Sequence, residues 1–351
     1  MARVVTIAGP RQVHVEHAPD VPLGEREVRI ETLYSGISAG TELASYRGSN
    51  PYLSKRWDAQ RRLFLEDEEA SLAYPLRGIG YEEVGRVSEV AAGVERPRIG
   101  NLVYGTWGHR SHHVMAASDA AARVLPAGLD PRLGVFSHIG AVALNGVHDA
   151  SLAIGETVAV FGLGVPGQIV AQLCARSGAR VIGVDPLERR RTLAARLAGL
   201  EVALDPADGQ SAEAIKALTG DRGADVAIEV SGNGAALHEA IRSVAYGATV
   251  VAMGFVQGEA RGLWLGDEFH HNRVSVRSSQ ISGVAADRSY RWDKPRLART
   301  ALALAAAGTL DLAPLVSHVF DVEAAAEAYR LLDETPADAL QVLLSFPAAA
   351  A

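Results

Sequence analysis

"TVAVFGLGVPGQIVAQLCARSG", residues 157–178, decides how this chain folds. Thr157 to Phe161 run without a charged break, as a strand covered on both faces does. Gly162, Gly164 and Gly167 follow in the spacing G-x-G-x-x-G, with Leu163 and Val165 among them. "PGQIVAQLCARSG" then reads as an amphipathic helix closed by Gly178. Alone, the glycine pattern is weak, because a chain with 35 glycines produces it by chance. A strand before it and a helix after it give it meaning. The first glycine permits a tight turn, and the second lets backbone approach a pyrophosphate. The third lets the helix pack on the strand, so that the helix N-terminus faces the anion.

The same rhythm continues downstream. "ARVIGVD", "ADVAIEVSG", "ATVVAMGF" and "RVSVRSSQ" read as buried strands, with "PLERRRTLAARLAG" as a helix between the first two. Val, Ile and Ala runs alternating with helices indicate a parallel sheet covered on both faces, hence an α/β fold. The second strand ends at Asp185, 23 residues after Gly162, where an acidic side chain accepts hydrogen bonds from an adenosine ribose. A carboxylate there repels a 2′-phosphate, so the expected cofactor is NAD, with NADP as the alternative. Arg189, Arg190 and Arg191 complicate this. Arg190 is the candidate to meet a phosphate, and a solvated helix face is the plainer reading of all three.

The first third has a different texture. "RVVTIAG", "QVHVEHA", "EVRIETLYSG", "VGRVSEVAAGV" and "NLVYGTW" are short strands punctuated by Gly and Pro, a β-rich module. Residues from about 43 to 79 are polar and charged, an insertion read as part helical. After Gln280 the text turns helical in "PRLARTALALAAAG" and "VEAAAEAYRLLDET", then ends on a strand, "ALQVLLSF", and an Ala-rich tail expected to fray.

At 351 residues, two domains are the default expectation. Lys plus Arg is 34 and Asp plus Glu is 41, giving −7, which tilts against nucleic acid or an anionic membrane as partner. One cysteine, Cys174, removes both an internal disulfide and a multi-thiolate metal site. No apolar run reaches the roughly 18 residues of a membrane helix, and the N-terminus lacks a signal-peptide core. The chain reads as soluble and cytoplasmic, acting on a small molecule.

With "YSGIS", "GYEEVG" and "DVAIEVSG" in this order, the chain resembles the medium-chain dehydrogenase/reductase superfamily over nearly its whole length. "SGISAGTE" and "YPLRGIGYEEVGRV" look most like its bacteriochlorophyllide dehydrogenase branch. The resemblance implies a GroES-like catalytic domain from both chain ends, residues 1–138 and 283–351. It also implies a central Rossmann domain, residues 139–282, with the active site in the cleft between them. By the same resemblance Ser231, Gly254 and Phe255 join Gly162, Leu163, Gly164, Val165, Gly167, Asp185 and Arg190 as cofactor residues. It implies a homodimer as well, paired through the strands from "ATVVAMGF" to "RVSVRSSQ".

In zinc-dependent relatives the first ligand is a cysteine, here Ser38, and the second a histidine, here Tyr81. The third position corresponds to His138. Serine is a poor zinc ligand and tyrosine an uncommon one, so no zinc is expected, a Glu82–His138 site being the residual alternative. Thr41 lies where relatives place a relay hydroxyl. The hypothesis is that Tyr81 or His138 donates a hydrogen bond to the substrate oxygen, with Glu82 tuning the donor. The competing reading is that these residues fill the space zinc left.

"WGHRSHHVMAA" adds His109, His112 and His113, read as an unremarkable strand in which His112 and His113 face opposite sides. Trp107 and His112 are the candidates there to face substrate. Trp57 in the insertion is the candidate stacking face of a basic lid, or else one packing residue of a solvated helix. His270 and His271 read as surface loop. Together these residues give an NAD-dependent, zinc-independent oxidoreductase interconverting a secondary alcohol, ring-borne or polyol-like, and a ketone. The alternatives are an NADPH-dependent reductase of activated C=C bonds and an inactive nucleotide-binding sensor.

Overall fold

The computed structural model describes residues 1–66 and 69–347, so the expected fraying of the tail lies outside the described residues. The chain forms two compact units, Met1–His138 with Leu312–Ala351, and Ile139–Asp311. The second unit thus runs past residue 282, where the sequence reading ended it. Packing explains the extension: Leu297 and Leu302 of helix Lys294–Ala306 are buried, and a Cβ placed on Gly140 would lie 2.8 Å from the Ala301 Cβ. Gln172 also bonds both main-chain groups of Asp311, donating to its carbonyl at 3.1 Å and accepting from its N–H at 2.8 Å.

The second unit is built on a six-stranded sheet with every neighbouring pair parallel. In spatial order the strands are Val202–Leu204, Arg180–Val184, Thr157–Phe161, Ala224–Glu229, Val244–Ala252 and Ser275–Ser278. The order reverses direction at Thr157–Phe161, which is the switch point of a doubly wound sheet. Val158, Ala159, Val160 and Phe161 are buried on both faces, as their unbroken apolar run requires. Cys174 is buried in the helix after the glycine loop, and burial pushes its thiol up to about 12, so it packs as a small apolar side chain. The outer strand Ser275–Ser278 is exposed throughout.

The first unit is β-rich, as expected, and draws on both ends of the chain. Its larger sheet places Gln341–Ser345 antiparallel to Glu27–Ile37, with Val342 opposite Ile37 and Leu344 opposite Ser35. Glu83–Val90 pairs on the other side of Glu27–Ile37, followed by Leu102–Gly105. Strand Val316–Asp321, unread in the sequence, joins Gln341–Ser345 in parallel. A smaller sheet sets Ala2–Gly9 between Gln12–Ala18 and Leu76–Arg77. Val5, Ile7, Ile37, Leu43, Tyr329, Val342 and Leu344 share one core, so residues more than 300 positions apart in sequence are packed together.

The insertion is less helical than its sequence suggested. One short helix, Thr41–Arg47, and a single turn, Pro51–Leu53, precede a hairpin of Arg56–Asp58 and Leu63–Leu65. The Asp58 carboxylate accepts from the N–H groups of Gln60 (3.0 Å) and Arg61 (2.9 Å), which turns the chain back on itself. Trp57 and Phe64 face each other across that hairpin, ring centroids 4.9 Å apart, and not along a helix.

Candidate active site

The second unit holds the glycine loop where the sequence placed it. Gly162 has φ +92°, open to glycine at little cost, and a Cβ there would lie 2.9 Å from the Ser231 main-chain nitrogen. A Cβ on Gly167 would sit 1.9 Å from the Gly162 carbonyl oxygen. Gly164 caps the helix Val165–Arg176 and has nothing nearer to such a Cβ than Arg190 Nη1 at 3.8 Å, so its hydrogen leaves room that a ligand can use. Leu163 is buried, and its N–H donates to Asp185 Oδ2 at 2.7 Å. Asp185 Oδ1 accepts from the Leu187 N–H at 2.9 Å, which fixes the carboxylate beside the loop.

Arg190 Nη1 stands 3.9 Å from Asp185 Oδ2, whereas Arg191 pairs with Asp205 at 3.0 Å. Ser231, Gly254 and Phe255 lie on the turns after the next two strands. There Glu229 is fully buried, and its carboxylate accepts from the N–H groups of Ser231 (2.7 Å) and Gly232 (3.0 Å) and from the Ser231 hydroxyl. A Cβ on Gly254 would meet the Gly232 nitrogen at 2.1 Å, so these two turns touch through glycine. All ten cofactor candidates therefore gather at the carboxyl ends of the strands, the side where open α/β sheets take ligands.

The first unit holds a buried polar cluster. The Tyr81 hydroxyl donates to Ser38 Oγ and is hydrogen-bonded to the Thr41 side chain, and its ring lies 4.6 Å from that of His138. Burial, then the Glu82 carboxyl, pushes the phenol above its ordinary value, so it stays protonated at neutral pH. Glu82 is itself buried, and burial followed by Glu42 raises its carboxyl well above the usual range. Its Oε2 has no hydrogen-bond partner. The structure thus brings together all four residues expected to do chemistry: Thr41, Tyr81, Glu82 and His138.

Beneath them lies a layer that the sequence reading missed. Glu42 is buried, and its carboxylate accepts from the Ser38 N–H (2.9 Å), His109 Nε2 (2.7 Å) and the Tyr329 hydroxyl (2.5 Å). His109 Nδ1 meets Ser35 Oγ, which lies 3.4 Å from Glu83 Oε1. Burial opposes charge on His109, but the Glu42 carboxylate lifts its value above the ordinary one. Glu83 accepts from the N–H groups of Trp107 (2.7 Å) and Glu82 (3.1 Å), and burial raises it to about 7 against the pull of His109. Gly80, at φ +111°, lies against the His109 ring, where a Cβ would come within 2.7 Å. His109 is therefore a correction to the sequence reading. It is the buried centre of the cluster and no ordinary strand residue.

The substrate candidates are scattered. Trp107 fills the core with Val28, Ile30, Val87 and Val103, and its indole N–H donates to Thr32 Oγ1 at 2.9 Å. His113 stacks on it, centroids 5.5 Å apart, while His112 pairs its Nδ1 with Ser111 Oγ at 2.9 Å. Trp57 is on the exposed hairpin.

A family described as zinc-binding dehydrogenase matches residues 162–299. D-guloside 3-dehydrogenase of Escherichia coli (strain K12) is 30% identical over 353 residues, covering 99% of this chain and 100% of the relative. The chain belongs to the medium-chain dehydrogenase/reductase superfamily. A second member of the superfamily, (R,R)-butanediol dehydrogenase of Bacillus subtilis (strain 168), is 25% identical over 302 residues, 78% of this chain and 81% of the relative. Two solved structures share the fold at TM-score 0.76 and 20% identity, each covering 98% of this chain and 99% of its own. One is an alcohol dehydrogenase of Escherichia coli CFT073 with NADH, the other a zinc-binding dehydrogenase of Sinorhizobium meliloti 1021 with NADP. The named relatives are dehydrogenases acting on CH–OH groups, and this chain is an enzyme of that class.

The zinc that gives the matched family its description is tested by the donor set here. Ser38 and Tyr81 offer neutral oxygens already bonded to each other, and burial opposes loss of the phenol proton. Among the described residues, no three His, Cys, Asp or Glu side chains are grouped to hold a metal ion. These residues do not fit the nitrogen and sulfur donor set that zinc takes.

The glycines give a first prediction. Gly167→Ala should lower the melting temperature and weaken NADH binding, since its Cβ strikes backbone. Gly164→Ala should keep the melting temperature within a few degrees and lose NADH binding alone. Thermal unfolding and a fluorescence titration measure both, and an unchanged melting temperature in Gly167→Ala would contradict the packing role.

Proposed function

We propose that this chain interconverts a secondary alcohol and a ketone with NAD, and that Tyr81 takes the place of zinc in handling the substrate oxygen. The observation that carries the reading is the Tyr81 hydroxyl, kept protonated by burial and hydrogen-bonded to both Ser38 and Thr41. NADH supplies the hydride in the reducing direction. Ser38 can reverse its bond and donate to the Tyr81 oxygen, which frees the phenol O–H for the substrate carbonyl. As charge gathers on that oxygen, the Tyr81 proton passes to it. The exposed Thr41 hydroxyl returns a proton from water. In the oxidising direction the same groups carry the proton outward. His138 holds the phenol ring by packing against it, the two rings tilted by 56°.

Asp185 supports NAD over NADP, because its carboxylate is fixed beside the phosphate loop and would repel a 2′-phosphate there. The relatives named above point to polyol-like or ring-borne secondary alcohols as the substrate class. Pairing of two copies through the exposed strand Ser275–Ser278, next to the exposed Tyr246, completes the proposal.

Three measurements test it. NADH should bind metal-stripped protein at least about tenfold tighter than NADPH, as a carboxylate facing a phosphate dianion requires; the reverse preference would favour the double-bond reductase. Tyr81→Phe should cut kcat by at least about a hundredfold, the scale of general acid catalysis, with NADH affinity unchanged. His138→Ala should cost less. Equal losses of turnover and NADH binding would sink the role of Tyr81.

The third concerns the layer beneath. Glu42 fixes the Ser38 backbone and His109 supports the Gly80 turn, so this layer sets where the Tyr81 hydroxyl lies. Tyr329→Phe removes one donor to Glu42 at almost constant volume, and kcat should fall about tenfold. In a Tyr81→Phe background it should cost nothing further, because the effect runs through Tyr81. Equal losses in both backgrounds would reduce the layer to a packing role.

A further inference from the structure

In the second unit, the chain leaves the strand Ser275–Ser278 at the carboxyl edge of the sheet and reaches helix Lys294–Ala306 through a segment of turns. The Arg291 and Trp292 N–H groups both donate to the Arg288 carbonyl at 3.0 Å, which sets these three side chains around one turn. Trp292 packs on His148, ring centroids 4.4 Å apart. The Arg296 guanidinium lies 4.2 Å from the Trp292 ring centroid, and Arg296 also donates to the Arg291 carbonyl. Arg288 Nε is buried with no hydrogen-bond partner.

Asp287 precedes Arg288 in this turn and makes no ion pair with the arginines among the described residues, and two further acids are bonded elsewhere. Asp293 caps the helix by accepting from the Arg296 N–H at 2.7 Å, and Asp149 faces the Asn145 amide at 3.4 Å. Among the described residues no ion pair involves Arg288, Arg291 or Arg296. Burial and then these three arginines hold the His148 imidazole down to about 4, so their charge is felt at the ring that packs on Trp292. In a chain of net charge −7, such a patch is not a product of composition. A buried donor left unsatisfied carries a desolvation cost that a ligand can relieve, and guanidinium forks match phosphate oxygens in pairs.

We infer that Arg288, Arg291 and Arg296, arranged around Trp292, form a binding site for a phosphate-type anion. The site goes beyond the alcohol–ketone reading and stands without it. Two sources could supply the anion: a phosphate borne by the substrate, or one of the phosphates of the cofactor.

Isothermal titration of the full chain with inorganic phosphate, at ionic strength held constant with chloride, tests the site. The expected result is one saturable site, weakened at least tenfold in Arg288→Gln and in Arg296→Gln, with NADH affinity kept in both variants if the anion is a substrate group and weakened in both if it is a cofactor phosphate. Repeating the titration with NADH saturating separates the sources. Retained phosphate binding assigns the site to a substrate group, and lost binding assigns it to the cofactor. Heats no larger than the chloride control, or equal affinity in wild type and variants, would overturn the inference. Should Arg288→Gln fail to fold, the exposed Arg296→Gln decides alone.

Discussion

The first unit depends on one buried carboxylate. Glu42 takes its three hydrogen bonds from Ser38, His109 and Tyr329, partners 4, 67 and 287 positions away in sequence. A buried carboxyl group is tolerated in a protein interior only when hydrogen-bond partners surround it, and leaving such a group unsatisfied costs about 1–3 kcal/mol. Glu42 therefore obliges the N-terminal segment, the middle strand region and the C-terminal helix Ala325–Glu334 to meet at one point. The discontinuous unit closes around that point, with the strand Gln341–Ser345 sealing the sheet beside it.

That requirement also explains which features the sequence revealed. The glycine loop is local: its turn, its helix and its acid at Asp185 lie within 24 consecutive residues, and their spacing carries the geometry. The parallel strands were legible for the same reason, as each buries an unbroken apolar run. The Glu42 layer has no such local signature. His109 stood in a histidine-rich strand and Tyr329 in an alanine-rich helix, and nothing in either segment points to the other. One signal was available in "GIGYEE": a glycine just before Tyr81 suggests a close approach, and the structure shows His109 filling that space.

The misread elements follow a similar logic. The charged insertion suggested helix, but Asp58 bonds its own neighbours' backbone and makes a hairpin turn there instead. Trp107 stood among the histidines as a candidate ligand face, and long-range packing placed it in a core with Val28 and Val87. Tyr81 and His138 were located through family resemblance, since 57 residues separate them and only the fold sets their rings 4.6 Å apart. Local chemistry was readable from the residues; convergence of distant segments was not.

A phenol proposed to stand in for a metal changes what the protein must provide. A zinc ion polarises an oxygen through its own charge, whatever the polarity around it. A phenol does so only while it keeps its proton and points the right way. Burial of Tyr81 and the neighbouring acid Glu82 supply the first condition, for both make phenolate costly. Ser38, Thr41 and the Glu42 layer supply the second. The cluster of acids beneath Tyr81 would disfavour a bare oxyanion on the substrate. It is coherent around a neutral donor, because the same negative charges that would weaken an anion site hold the phenol in its donating form.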